Sequence, residues 1–125
     1  DNYGRPMALI YADKTLINLE MLKSGWARYH SDKTTKTEAL KAAADLAKNA
    51  KTGIFSSKCL QLKNPDNPQC LIKGNIDKNS TKRLYYLPGC AQYEFTLVEK
   101  DLGEDWFCTE TEAQKASFTK AGTCH

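Results

Sequence analysis

Residues 7–11, MALIY, are apolar without interruption and follow a Gly4-Arg5-Pro6 turn, a pattern that predicts a short buried strand. Asp13 and Lys14 predict a hairpin turn into a second short strand over residues 15–17. Asn18 stands where its side chain would cap a helix over residues 19–24, and Gly25 where a left-handed residue would end it. The polar run SDKTTK then reads as an exposed loop. From residue 38 to 51, Ala39, Leu40, Ala43, Leu46, Ala47 and Ala50 recur at steps of three and four, predicting an amphipathic helix closed by Gly53. Ile54 and Phe55 are expected to anchor its end. Two strands and two helices enclose little core, so this half reads as part of a domain.

Beyond residue 58 the pattern changes. CLQLKNPDNPQC, with two Asn-Pro steps, predicts a turn-rich linker over residues 59–69. IKGNI and RLYYLPGC read as strands joined by a KNST loop, and EFTLV as a further strand. A helix capped by Thr109 is expected over residues 110–120, which makes residues 70–125 a small ββα-like module.

Charge and cysteines sharpen this division. To residue 59 there are ten Lys and Arg against six Asp and Glu, a net +4; from residue 60 there are eight against nine, a net −1. The first half is the better candidate for meeting an anion, although a lysine-rich solvated helix face gives the same count. Cys59, Cys70, Cys90, Cys108 and Cys124 all lie in the second half. No apolar run approaches the roughly 18 residues of a membrane span, so no membrane partner is expected.

Structural zinc sites usually take ligands two to four residues apart. Here the intervening counts are 10, 19, 17 and 15, and the adjacent Cys124-His125 pair is too closely spaced to act as such a ligand pair. Zinc remains possible, but disulfides are favoured, with a secreted or periplasmic location to match. Four cysteines allow three pairings, which sequence does not decide. The expected set joins Cys59 to Cys70 across the Pro-rich loop and Cys90 to Cys108, leaving Cys124 odd.

Asp1, Tyr3, Gly4, Arg5, Ala8, Ile10 and Tyr11 form the run D-x-Y-G-R-x-x-A-x-I-Y, which resembles the second signature of the staphylococcal nuclease (thermonuclease) family. IN-x-E-x-L-x-x-G-x-A from Ile17 to Ala27, and the alanine-rich helix ending in GIF, match that family in order and spacing. The resemblance covers residues 1–55, and the domain is taken as residues 1–58. It implies an OB-type five-stranded β-barrel of which the first strands, an earlier arginine, a glutamate and the calcium-binding aspartates would precede Asp1. It also implies a calcium cofactor and a DNA or RNA substrate. Residues 70–122 are similar to a cysteine-containing sunset module found after bacterial nuclease domains, with Tyr86 where that module commonly has histidine. The fold expected is therefore α+β, a partial OB-type barrel followed by a disulfide-stabilised module.

Arg5 carries the sharpest chemistry. Attack on a phosphodiester builds negative charge on the phosphoryl oxygens, and a guanidinium answers it with permanent charge and paired donors. By resemblance Arg5 is a catalytic, phosphate-binding arginine, and Tyr3 helps to hold the phosphate. As an isolated residue, Arg5 would be read as an ordinary surface arginine. The metal ligands lie outside this chain on the same reading. The expected function is the C-terminal portion of a secreted calcium-dependent nuclease, inactive on its own. The alternative is a non-catalytic nuclease-like module that holds nucleic acid or another partner through Arg5, Lys23, Arg28 and nearby lysines. Open strand edges would also permit a homodimer.

Overall fold

The computed structural model describes residues 3–30 and 33–125. It divides into two compact units, one ending at Ser56 and one from Ser57 to His125, each with its own buried cluster. Helices and short strands occur in both units, so the chain has the mixed α+β class expected from its pattern. No helix among the described residues is long and apolar enough to cross a membrane.

In the first unit the hairpin forms around Asp13 and Lys14, but its strands are short. β1 (Tyr11–Ala12) pairs antiparallel with β2 (Thr15–Leu16), Tyr11 opposite Leu16. Asp13 adopts the positive φ of 53° in the turn, a conformation Asp tolerates better than most residues. The buried strand expected over residues 7–11 does not form. Met7, Ile10 and Tyr11 are exposed and Leu9 is half-buried, because among the described residues β2 alone pairs with β1 and covers one edge for two residues.

Asn18 departs from expectation in an informative way. Helix α1 (Ile17–Lys23) begins one residue before it, with Leu16 at the cap position and no side-chain cap. The Asn18 side chain instead reaches back: Oδ1 accepts the Ile10 N–H at 2.8 Å, and Nδ2 donates to the Ala8 carbonyl at 3.1 Å. One amide side chain thus satisfies backbone groups that a neighbouring strand would otherwise satisfy.

Gly25 ends α1 as expected, at φ +73°. Gly25 N–H donates to Leu22 and Trp26 N–H to Met21, the paired bonds that close a helix through a left-handed residue. Helix α2 (Thr37–Asn49) ends through the same geometry at Lys51 (φ +53°), not at Gly53. Gly53 serves packing: a Cβ there would collide with the Gly25 carbonyl, and Ile54 N–H donates to that carbonyl at 2.9 Å. The inward face of α2 is Leu40, Ala43, Ala44 and Ala47, and Leu46, expected on that face, is exposed. The small residues let α2 lie close to Leu16 and Leu22 of the hairpin and α1.

The second unit has a four-stranded sheet. β3 (Leu60–Gln61) precedes it in sequence and pairs separately with β6 (Val98–Glu99). The expected hairpin is β4 (Ile72–Ile76) with β5 (Arg83–Tyr86), register Gly74 to Tyr85. β7 (Trp106–Phe107) adds antiparallel to β4, and β8 (Thr119–Lys120) adds parallel to β5, giving the order β7–β4–β5–β8. The module is therefore larger than the expected ββα. EFTLV is a 3₁₀ turn followed by β6 rather than one strand.

Helix α3 (Glu110–Lys115) is shorter than expected but capped as expected. Thr109 and Glu112 form a reciprocal capping box, each side chain bonding the other's backbone N–H. Ala113 and Phe118 bring the helix and its exit onto Ile72 and Tyr85, with Phe107 and Phe118 rings 5.3 Å apart.

The cysteines form disulfides, but not in the expected pairs. Cys70 joins Cys108, and Cys90 joins Cys124, leaving Cys59 as the free thiol. The reason is the sheet. Cys70 precedes β4 and Cys108 follows β7, and these two strands are hydrogen-bonded neighbours, so the ladder places the two cysteines side by side. Cys124, expected to be odd, is within reach of Cys90 because Ala121 N–H donates to the Tyr85 carbonyl and so returns the C-terminal segment to β5.

Candidate functional site

The turn before the apolar run carries the sequence-predicted site residues. Gly4 has φ +74°, and its missing Cβ leaves open space, so glycine is required there by backbone conformation rather than by crowding. The turn sets Tyr3 and Arg5 together: the Arg5 guanidinium carbon lies 5.3 Å from the centre of the Tyr3 ring. Both side chains are exposed, Tyr3 to 85%. Asp1 lies outside the described residues.

Beside this turn runs an apolar groove of about 380 Å³, bordered by Met7, Ile10, Met21, Tyr29 and Leu40. Arg28 and His30 stand on its rim, so His30 borders a concave surface. Arg28 also lies 5.7 Å from the Phe55 ring. Lys23 is paired with Glu20 at 3.3 Å, which directs its charge along α1. The groove was not read from sequence. Its signal was the apolar run itself, which reads equally as a strand buried under a larger sheet.

The paired N–H donors of Arg5 and the Tyr3 hydroxyl make a cationic, hydrogen-bonding pair suited to a phosphate group. The calcium implied by the family resemblance finds no fit here: among the described residues no group of three or more His, Cys, Asp or Glu is placed to hold a metal ion.

Comparison with protein families bears on the same stretch: residues 1–57 match the family described as staphylococcal nuclease homologue, which supports a nuclease-like domain there. None of the curated proteins and none of the solved structures matches the chain.

Among the buried charged residues of the second unit, Lys73 and Glu104 are two that sequence reasoning missed. Lys73 is 1% exposed, donates from Nζ to the Tyr93 carbonyl at 2.7 Å, and lies 4.3 Å from the Tyr93 ring and 5.5 Å from that of Trp106. Burial pushes its pKa below the ordinary 10.5, and nearby Glu94 partly restores it. Glu104 is 2% exposed. Its Oε1 accepts from Asn75 Nδ2 at 3.0 Å and Ile76 N–H at 2.9 Å, and its Oε2 accepts from Glu99 N–H at 2.8 Å. Burial raises its pKa above the ordinary 4.5, against the hydrogen bonds from Ile76 and Glu99. An alternating strand pattern marks neither residue, since each reads as a solvent-facing charge.

Proposed function

We propose that residues 1–57 are the C-terminal part of an OB-type nuclease domain that hydrolyses phosphodiester bonds in DNA or RNA, within a secreted protein. The observation that carries this reading is the family match over the same residues that set Tyr3 and Arg5 on one turn. In this reading Arg5 donates paired N–H bonds to the phosphoryl oxygens as charge accumulates on them, and Tyr3 orients the phosphate. Calcium is the cofactor this reading expects of the extended domain, and none of the described residues is assigned to it. The disulfides of the second unit support an oxidising, extracellular location.

The test uses two chains, these 125 residues and a version extended N-terminally to a full nuclease domain, on single-stranded DNA and RNA with calcium. The extended chain is expected to cleave, the 125-residue chain is not, and Arg5→Ala in the extended chain lowers kcat by about 10² to 10³-fold. Salt-sensitive binding without turnover by the extended chain would establish the non-catalytic binding module instead. Neither binding nor cleavage would overturn both readings. The exposed Met7 and Ile10 also favour a homodimer covering this face, and light scattering that finds only monomer would refute it.

A further inference from the structure

A second concave surface lies in the second unit, and none of the residues that line it is named in the nuclease reading. It is a cleft of about 330 Å³ between the end of β4 with its following loop and the segment that leads into β6. That volume is at the lower end for a small-molecule site and suits one compact ligand unit. One wall offers Asn75, Asp77 and Lys78, the other Phe95, Leu97 and Glu99.

The walls are fixed before any ligand arrives. The buried Glu104 carboxylate lies beneath them and ties one to the other, bonding Asn75 and Ile76 on one side and Glu99 on the other. Because Asn75 Nδ2 is committed to Glu104, its amide orientation is set with Oδ1 left as an acceptor. Asp77 Oδ1 accepts the N–H groups of Asn79 and Ser80, holding the loop in a closed turn, and Thr81 sits at φ +59° within it. A strained non-glycine residue beside a preorganised polar surface is a recurrent mark of binding sites.

Two chemical features decide what would bind. Phe95 is 85% exposed, on a 3₁₀ turn pinned by Phe95 and Thr96 N–H bonds to Gln92, so a flat apolar ring is held out at the rim of a polar cleft. The charges are two carboxylates, Asp77 and Glu99, against one ammonium, Lys78, and Lys78 is bound to Glu99 at 2.9 Å. The excess of one carboxylate disfavours phosphate and nucleic acid, and with Lys78 held by Glu99 the walls chiefly offer a ligand hydrogen-bond acceptors. A neutral ligand with a flat C–H face and several hydroxyl donors meets both features. The C–H face covers the ring, and the hydroxyls donate to amide and carboxylate oxygens.

We propose that this cleft binds a neutral carbohydrate, one sugar ring of a glycan chain stacking on Phe95 with its hydroxyls on Asn75 and Asp77.

The test is titration calorimetry of the full chain with soluble oligosaccharides of glucose, xylose and N-acetylglucosamine. Binding to at least one is expected, unchanged within about twofold between about 0.05 and 0.5 M NaCl because the ligand carries no charge. Phe95→Ala, at an exposed site that the fold does not need, should weaken binding about tenfold or more, while Phe95→Trp retains it. Circular dichroism checks that both variants fold. No binding to any of the oligosaccharides, binding indifferent to Phe95→Ala, or Phe95-dependent capture of a basic peptide or an oligonucleotide that salt abolishes would each overturn the proposal.

Discussion

Glu104→Gln removes a charge and almost nothing else, and it isolates what the buried carboxylate does. The carboxylate accepts three hydrogen bonds, two at Oε1 and one at Oε2. A glutamine has one oxygen. Its better orientation keeps Asn75 and Ile76 and turns the amide N–H₂ toward the Glu99 N–H, so two donors face each other across 2.8 Å. A hydrogen bond to a charged acceptor contributes about 1.5 to 3 kcal/mol, and orphaning the buried amide keeps the loss near the top of that range. Relief of the buried charge offsets part of it, leaving an expected loss of about 2 kcal/mol. With an m-value of about 1 to 1.5 kcal/mol/M, the urea midpoint falls by about 1.3 to 2 M. The probe is Trp106, buried in this unit, whose emission is separable from that of the 62% exposed Trp26.

The pH profile checks the same reasoning from another side. A carboxyl whose pKa is raised in the folded state binds protons there more tightly than in the unfolded chain, so folding gains stability as pH falls through the window between the raised value and 4.5. The glutamine has no such gain, and its deficit should widen over that window. A deficit under about 0.5 kcal/mol would refute the hydrogen-bond reasoning. A deficit that narrows on acidification would show that the three donors, rather than burial, govern the carboxyl.

Gly25→Ala should cost about 2 to 4 kcal/mol, from a left-handed non-glycine residue and a Cβ driven into the Thr52 carbonyl, read as loss of the α1 and α2 signal in thermal circular dichroism. An unchanged midpoint would mean that the Gly25 and Thr52 backbones do not meet. Lys73→Met should abolish a gain in stability that the native chain shows as pH rises from the lowered lysine value toward 10.5, because in that window the unfolded chain binds the extra proton. Parallel profiles for the two proteins in alkaline denaturation would remove the argument. Thiol titration in denaturant should find one reactive group, Cys59, and five after reduction. Each loop, closed over separations of 38 and 34 residues, limits the unfolded chain by about 4 kcal/mol, so reduction should unfold the second unit near ambient temperature.

Local patterns were legible where one residue's conformation decides the outcome. Gly25 could be read as a helix stop and Thr109 as a cap because the chemistry lies within a turn of the residue itself. Asn18 was misread since its capping preference is local while its actual partners, Ala8 and Ile10, come from the preceding strand-like segment. Gly53 looked like a helix stop, yet Lys51 took that position, and only the approach of two backbones reveals why glycine is needed two residues later. The cysteine pairing failed for a related reason. Proximity in sequence favoured Cys59 with Cys70, but strand adjacency between β4 and β7 decided the outcome. For the site, the Tyr3-Gly4-Arg5 turn was legible as a motif, whereas the Glu104 crosslink and its cleft depend on residues that β6 and the turn after it bring beside β4.

The two disulfides interleave: Cys90 lies inside the loop closed by Cys70 and Cys108, and Cys108 inside the loop closed by Cys90 and Cys124. A peptide bond cut anywhere between Cys70 and Cys124 therefore leaves its two pieces covalently linked by at least one bridge. In a protease-rich medium, nicks in the loop after β4 or in the 3₁₀ turn at Phe95 would alter the gel pattern under reducing conditions and not the mass of the particle. The second unit can be cleaved in several places and still travel as one molecule.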